Sequence, residues 1–323
     1  MAIPRKQQID SENPGYYHLT SRCVRRSFLC GFDAETGINY EHRRQWIENR
    51  ILQLADIFAI EVYAYAVMSN HYHLVVYSNP KAPEQWSDLT VAERWLKVFP
   101  GKLDKPEFQQ QRQLRLQAIV NDKDLLATYR KRLGDISWLM RRLNEPLARL
   151  ANLEDGCKGH FWESRFTSQA LLDESAALAC MAYVDLNPIR AGMSESLQNS
   201  EHTSIKKRVN TMTAKQLNRA VISMAGNIKT RCLNLKLRDY IELVEWTGKN
   251  IVYPNKTVMP SHIQSVLAEL NINQSHWLSQ IKHYGTNYGR FVGCIHSIKA
   301  KVMQLEQQWI QGSKQLQKLF STV

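Results

Sequence analysis

The sequence predicts an α+β fold: an antiparallel sheet covered by helices, with a helical insertion and a mainly helical C-terminal extension. Three observations predict it. The runs IEVYAYAVM and HYHLVVYS are separated only by the turn residues Ser69 and Asn70, the pattern of a β-hairpin. Segments with apolar residues at helical spacing lie on both sides of that hairpin. The resulting order, strand, helix, strand, strand, helix, strand, helix, is that of a sheet with helices packed on it.

The elements follow in order. Residues 16–23, YYHLTSRC, alternate as a strand does. Tyr17 and Leu19 share one face, and His18, Thr20 and Arg22 the other. Within 38–58, Trp46, Ile47, Ile51, Leu54 and Phe58 recur at helical spacing. The hairpin comes next, and its second strand opens with His71 and His73. From about 80 to 134 the pattern is helical and polar, as in LTVAERWLKVF and PEFQQQRQLRLQAIV, and reads as an insertion. Residues 135–153 give another amphipathic helix, expected to break or restart near Pro146, which lacks an N–H and clashes with the preceding turn. Residues 154–166, EDGCKGHFWESRF, read as a loop running into a strand. A helix over 173–186 follows, with Asp173 or Glu174 serving its first turn and Pro188 setting its end.

Composition divides the chain in two. Residues 201–323 hold 17 Lys+Arg against 6 Asp+Glu, a net of +11 out of a total of +12. The expected division is therefore a domain over 1–200, with its insertion at about 80–134, and a basic helical extension over 201–323 suited to a polyanion partner, most simply nucleic acid. A basic solvated surface without a partner is the alternative. No apolar run approaches a membrane span, and the start, MAIPRKQQIDSENPG, lacks the apolar core of a signal peptide. The six cysteines form no CxxC pair, so reduced thiols in a cytoplasmic protein are expected.

His71 and His73 raise the first chemical question. Positions i and i+2 of a strand share a face roughly 7 Å apart, so two imidazoles there can converge on one ion. One buried histidine beside one edge histidine is the alternative, and spacing does not choose between them. A metal needs at least one further ligand. Tyr183 and Asn187 are four apart, hence on one helical face, where Asn187 can offer an amide oxygen and Tyr183 its phenol. A helix C-cap is the other role open to Asn187, and a core tyrosine the other role open to Tyr183.

Four stretches occurring together change the balance. GYYHLTSR, VMSNHYHLVV, GHFWESRF and AYVDLNPIRAGM resemble, in order and spacing, the single-tyrosine HUH transposases, and among them the REP-associated tyrosine transposases. The resemblance covers about residues 14–195, leaving out the insertion. It implies a ferredoxin/RRM-like antiparallel sheet, the HUH endonuclease core. It implies that His71 and His73 hold a divalent metal, with Asn187 as third ligand. It further implies that Tyr183 attacks a phosphate of single-stranded DNA, leaving a 5′-phosphotyrosine link and a free 3′-hydroxyl. REP-like palindromes in a bacterial genome are the implied substrates, and a nucleoid-associated cytoplasmic location is the implied setting. Two imidazoles and an amide oxygen suit Mg²⁺ or Mn²⁺, although the donor types alone also admit zinc. A phenol, with an ordinary pKa of about 10, is a weak nucleophile that a nearby metal can activate.

Several residues are expected around that chemistry. Arg22 and Arg165 are candidate DNA contacts; His18 either touches DNA, steadies the site or is a satisfied sheet histidine. Arg25, Arg26, Arg141 and Arg142 are weaker candidates, since basic pairs usually mark a solvated face. Trp162 and Phe166 are expected in the core, and Cys157 with His160 forms a CxxH without a second pair. Either a monomer or a homodimer is compatible with this reading. Three rivals remain. A non-catalytic DNA-binding regulator on the same fold would tolerate loss of Tyr183 or a histidine. A histidine-triad hydrolase would carry a third histidine where Val75 stands. An RNA-binding sheet would expose Tyr63, Tyr65 and Tyr77.

Overall fold

A computed structural model of the chain describes residues 8–24, 29–101, 104–228, 231–254, 257–306 and 313–320. The first part contains β1 (Gly15–Arg22), α1 (His42–Ile57), β2 (Ile60–Val67) and β3 (His71–Ser78). The insertion contributes α2 (Asp88–Val98), α3 (Gln109–Asn121) and α4 (Lys123–Leu133). Then come α5 (Ile136–Glu154), β4 (Thr167–Leu171), α6 (Glu174–Asp185) and the single turn α7 (Asn187–Arg190). The chain beyond 200 includes α8 (Ser204–Thr211), a small two-stranded sheet of β5 (Ala220–Val221) and β6 (Leu233–Lys236), α9 (Leu237–Val252), α10 (Gln274–Lys282), α11 (Tyr284–Asn287) and β7 (Phe291–Val292).

The main sheet has the order β2-β3-β1-β4-β7. The α+β class holds, with one change to the sheet. Its first three pairings are antiparallel, but β7 pairs with β4 in parallel. The cause is local: Ala170 N–H donates to the Arg290 carbonyl at 2.7 Å, and Leu172 N–H to that of Val292 at 2.8 Å. The free edge of β4 is thereby covered by the extension at Ala170 and Leu171, which pairs backbone groups that would otherwise be exposed there. Tyr63, Tyr65 and Tyr77 are 0%, 0% and 6% exposed, so they form core and offer no aromatic sheet face to RNA.

Pro146 does not break its helix. It lies inside a continuous α5. Proline removes the hydrogen bond to the carbonyl four residues back, here that of Arg142. The Arg50 guanidinium reaches that carbonyl instead, with Nε and Nη2 each at 3.4 Å, so the orphaned acceptor is satisfied from α1. In the insertion, Trp95 stacks on Tyr129 at 4.2 Å, which ties α2 to α4. Gly134 closes the insertion onto the sheet, since a Cβ there would lie 2.5 Å from the Pro80 carbonyl oxygen.

The extension grips the helix that carries Tyr183. Asp185, fully buried two residues on, accepts hydrogen bonds from the Ser204 and Tyr240 hydroxyls and from Ile205 N–H at 3.1 Å. Burial pushes its carboxyl up to about 6. At its other end α6 is capped by Asp173, which accepts from Ala176 N–H at 2.9 Å and from Cys294 N–H of the extension at 2.7 Å. Both ends of α6 are therefore tied to residues beyond 200.

Glu48 makes a comparable link from α1. It accepts from Tyr65 Oη and His202 Nδ1, each at 2.7 Å, and lies 3.4 Å from Lys207 Nζ. Burial alone would raise its pKa; the hydrogen bonds from His202 and Tyr65 and the Lys207 charge outweigh burial and bring it down to about 2. A lowered folded pKa contributes stability above the ordinary value of 4.5 that disappears as the pH falls towards 2. Glu48→Gln is accordingly expected to cost about 1–3 kcal/mol at neutral pH. Melting curves across that acid range should be flatter for the variant; parallel curves would contradict the link.

Among the described residues no helix is long and apolar enough to cross a membrane. All six cysteines are free thiols.

Candidate functional site

The β1–β3 register builds the site. It pairs Thr20 with His73 and Arg22 with His71, which puts His18, Thr20, Arg22, His71 and His73 on one face of the sheet. The His71 and His73 rings meet edge-on with centroids 4.7 Å apart, and His18 stacks on His73 at 5.0 Å. Helix α6 lies over this face. It brings the Tyr183 ring edge-on to His73 at 5.6 Å and to His18 at 5.9 Å.

The other side of Tyr183 is held by residues the sequence reading did not select. Tyr284 stacks on it at 4.7 Å, and the Arg190 guanidinium lies 4.6 Å from its ring centre. The Tyr183 hydroxyl fits against Gly285, where a Cβ would come within 2.9 Å of it. Tyr183 is 7% exposed and is one of the residues lining a cleft of about 540 Å³. His18, His73, Arg165, Tyr284 and Arg290 are among that cleft's walls.

The imidazole nitrogens have distinct surroundings. His71 Nδ1 is 2.5 Å from Asn70 Oδ1. His73 Nδ1 is 2.9 Å from His18 Nε2 and 3.0 Å from Thr20 Oγ1. His73 Nε2 is buried without a hydrogen-bond partner among the described residues. Burial pushes both His18 and His71 down to about 4, and His73 well below its ordinary value. All three rings are thus neutral at pH 7, the form that ligates a metal. An unpartnered buried nitrogen costs about 1–3 kcal/mol, and a bound cation would satisfy it. Two neutral imidazoles with one orphaned Nε2 fit a divalent ion.

Not every expected residue joins this group. Asn187 is buried at the start of α7, under Arg190, whose Nη1 is 3.5 Å from its Oδ1, and it does not line the cleft. Nor is it the C-cap of α6, a position held by Leu186. Among the described residues no three His, Cys, Asp or Glu side chains are arranged to hold a metal. Cys157 and His160 are both exposed in their loop.

Arg165 is exposed on the cleft wall, and Arg22 is exposed across from His71. Arg142 is withdrawn from DNA contact: it is 8% exposed, lies over the Phe99 ring at 4.2 Å and sits 3.3 Å from Glu145. Arg141 lies 3.6 Å from the same carboxylate. Arg25 and Arg26 lie outside the described residues. Trp162 is half-buried against Tyr72 and donates its indole N–H to the Asn144 carbonyl at 2.9 Å, which makes it a packing residue.

Thr20 was legible from its shared face with His18. Gln169 has weaker standing in the sequence, as an inward position of a short strand. Tyr284, Gly285 and Arg290 had no signal, because each acts through a contact about a hundred residues away from its partner.

No protein-family model matches the chain, and no curated protein matches it. Among solved structures, a REP-associated tyrosine transposase bound to a REP hairpin is similar at 14% identity, with a TM-score of 0.34, over 70% of this chain and 98% of that one. That is a weak likeness of fold.

Proposed function

We propose that the protein cuts and rejoins single-stranded DNA beside hairpins, such as REP-like palindromes, through a 5′-phosphotyrosine intermediate. The supporting observation is the convergence of Tyr183 on His73, whose Nε2 is buried and has no hydrogen-bond partner among the described residues, in a cleft walled by Arg165 and Arg290. The strand order β2-β3-β1-β4 is read as the ferredoxin/RRM-like core implied by the sequence resemblance, with β7 added to its edge.

His71 and His73 would hold Mg²⁺ or Mn²⁺, with Asn187 as the proposed third donor once its contact to Arg190 is released. When bound, such an ion polarises a phosphodiester oxygen as a Lewis acid. Tyr183 Oη forms a bond to phosphorus as the bond to the 3′-oxygen breaks. The phenol loses its proton, and the departing oxygen gains one to become a hydroxyl. Because the phosphodiester is exchanged for another phosphodiester, the 3′-hydroxyl can reverse the step without an energy source. Tyr284, Arg190 and Gly285 fix the ring and the hydroxyl that attacks, which favours one geometry. A second cavity of about 970 Å³ adjoins the cleft at Ser164, Arg165 and Phe166, giving an unpaired strand room to continue. A non-catalytic regulator would have no need of this convergence.

Phosphate affinity is assigned to exposed arginines on the cleft and, more broadly, to the basic extension. Arg165→Ala and Arg290→Ala are each expected to reduce the log–log salt dependence of binding by about 0.7 per lost phosphate contact. Unchanged slopes in the double variant would move the binding surface away from the cleft. The activity itself is tested with a hairpin carrying a single-stranded tail, with and without Mn²⁺. The expected products are a fragment ending in a 3′-hydroxyl and a protein-linked remainder, both dependent on metal. Cleavage without a protein link would make water the nucleophile and the protein a metal-dependent nuclease.

A further inference from the structure

Gln169, on β4, stands between the histidine face and the extension. Its amide nitrogen donates to the Gly289 carbonyl, which can only accept, so its amide oxygen faces the opposite way. That oxygen accepts from Tyr284 Oη at 3.2 Å and lies 3.4 Å from His18 Nδ1. An acceptor at that distance calls for an N–H on His18 Nδ1, which leaves the bare lone pair of a neutral ring on Nε2. His73 Nδ1 sits 2.9 Å from that lone pair. Two lone pairs do not meet at hydrogen-bond distance, so His73 Nδ1 carries the proton. Thr20 Oγ1, 3.0 Å from His73 Nδ1 and 3.4 Å from His18 Nε2, can accept from the first and donate to the second. What remains is His73 Nε2, bare, buried and without a partner among the described residues.

We propose that Gln169, oriented by Tyr284 and Gly289 of the extension, sets the tautomer of His73 through His18 and so presents His73 Nε2 as a ligand for a divalent cation. The inference rests on the reading of His73 as a metal ligand given above. Gln169 and His18 serve here as positioning residues, acting on the ion through His73. Outer partners of this kind orient ligating histidines and raise their basicity. The extension therefore does more than supply positive charge. Its segment 284–290 reaches the metal-binding nitrogen through three hydrogen-bonded side chains, Gln169, His18 and His73.

The test uses the full chain, metal-free, with ¹⁵N-labelled histidine. Long-range ¹H–¹⁵N spectra report which nitrogen of His73 is protonated, and calorimetry with Mn²⁺ alone reports affinity. The wild type should show His73 protonated on Nδ1. Gln169→Met, of similar length but without the amide, should mix the two tautomers and weaken Mn²⁺ binding roughly 10- to 100-fold. Gln169→Glu keeps an acceptor for His18 and should hold the Nδ1 proton of His73, while it loses the N–H that anchors the side chain to Gly289. A wild-type His73 protonated on Nε2 would overturn the proposal, as would Gln169→Met retaining both the tautomer and the affinity. Should the variants not fold, the wild-type tautomer decides alone. A wild type with the Nδ1 proton but no Mn²⁺ binding at all would reject the metal reading and leave the tautomer relay standing.

Discussion

Tyr183→Phe is expected to bind hairpin DNA as the wild type does and to form no covalent adduct. The substitution removes one oxygen, and the ring keeps its contacts with His73, Tyr284 and Arg190. No hydrogen bond of the Tyr183 hydroxyl is present among the described residues, so the change in stability should stay within about 0.5 kcal/mol. Loss of a nucleophile typically lowers the rate by on the order of 10⁴- to 10⁶-fold. Along the sequence the nearest upstream tyrosine, Tyr129, lies in the insertion; in space Tyr284 stacks directly on the ring. Tyr284 is a poor substitute nevertheless. Its hydroxyl is engaged by Gln169, and burial holds its pKa well above 10. Tyr284→Phe should thus still form the adduct at saturating Mn²⁺. An adduct in Tyr183→Phe that disappears in the double variant would transfer the role to Tyr284.

The second large effect is expected at the histidines. His71→Ala and His73→Ala should each abolish metal-dependent cleavage. Each should also weaken Mn²⁺ binding by more than the roughly 10- to 100-fold typical of an outer partner. Their effects on folding should differ. His71 is at the mouth of the hairpin, half-exposed, and its loss should leave stability nearly unchanged. His73 is 5% exposed and satisfies His18 and Thr20, so its removal should cost about 1–3 kcal/mol. Metal affinity and unfolding are measured separately, by calorimetry and by denaturant titration. Full Mn²⁺ affinity in a folded double variant would remove the metal site from this face.

What the sequence disclosed was whatever a local period could carry. The alternation in YYHLTSRC put His18, Thr20 and Arg22 on one face of their strand, and the same period put His71 and His73 on one face of theirs; that the two sets meet is set by the β1–β3 register. Helical spacing placed Tyr183 on a helix, and Asp173 or Glu174 marked its start, the structure giving the cap to Asp173. Contacts made across long separations were hidden. The two residues of β7 are too few to show a strand pattern, yet their parallel pairing with β4 carries Gly289 and Arg290 to the cleft. Tyr284 resembles any other tyrosine until its ring is found on Tyr183. Pro146 misled for the same reason: the group that satisfies the freed carbonyl is Arg50, on another helix. Asn187 was legible as a polar residue one turn from Tyr183, but the proline after it begins a new turn and brings Arg190 against its amide.

The central claim, that Tyr183 becomes covalently joined to DNA, is tested most directly by locating the link. Wild-type protein is incubated with Mn²⁺ and a hairpin strand labelled on the 3′ side of the break, denatured, digested with nuclease and protease, and read by mass spectrometry. The account predicts a single nucleotide-bearing peptide, modified at Tyr183 through a 5′ phosphate and absent when metal is withheld. A phosphonucleotide on any other residue, or cut DNA with no modified peptide, would contradict it.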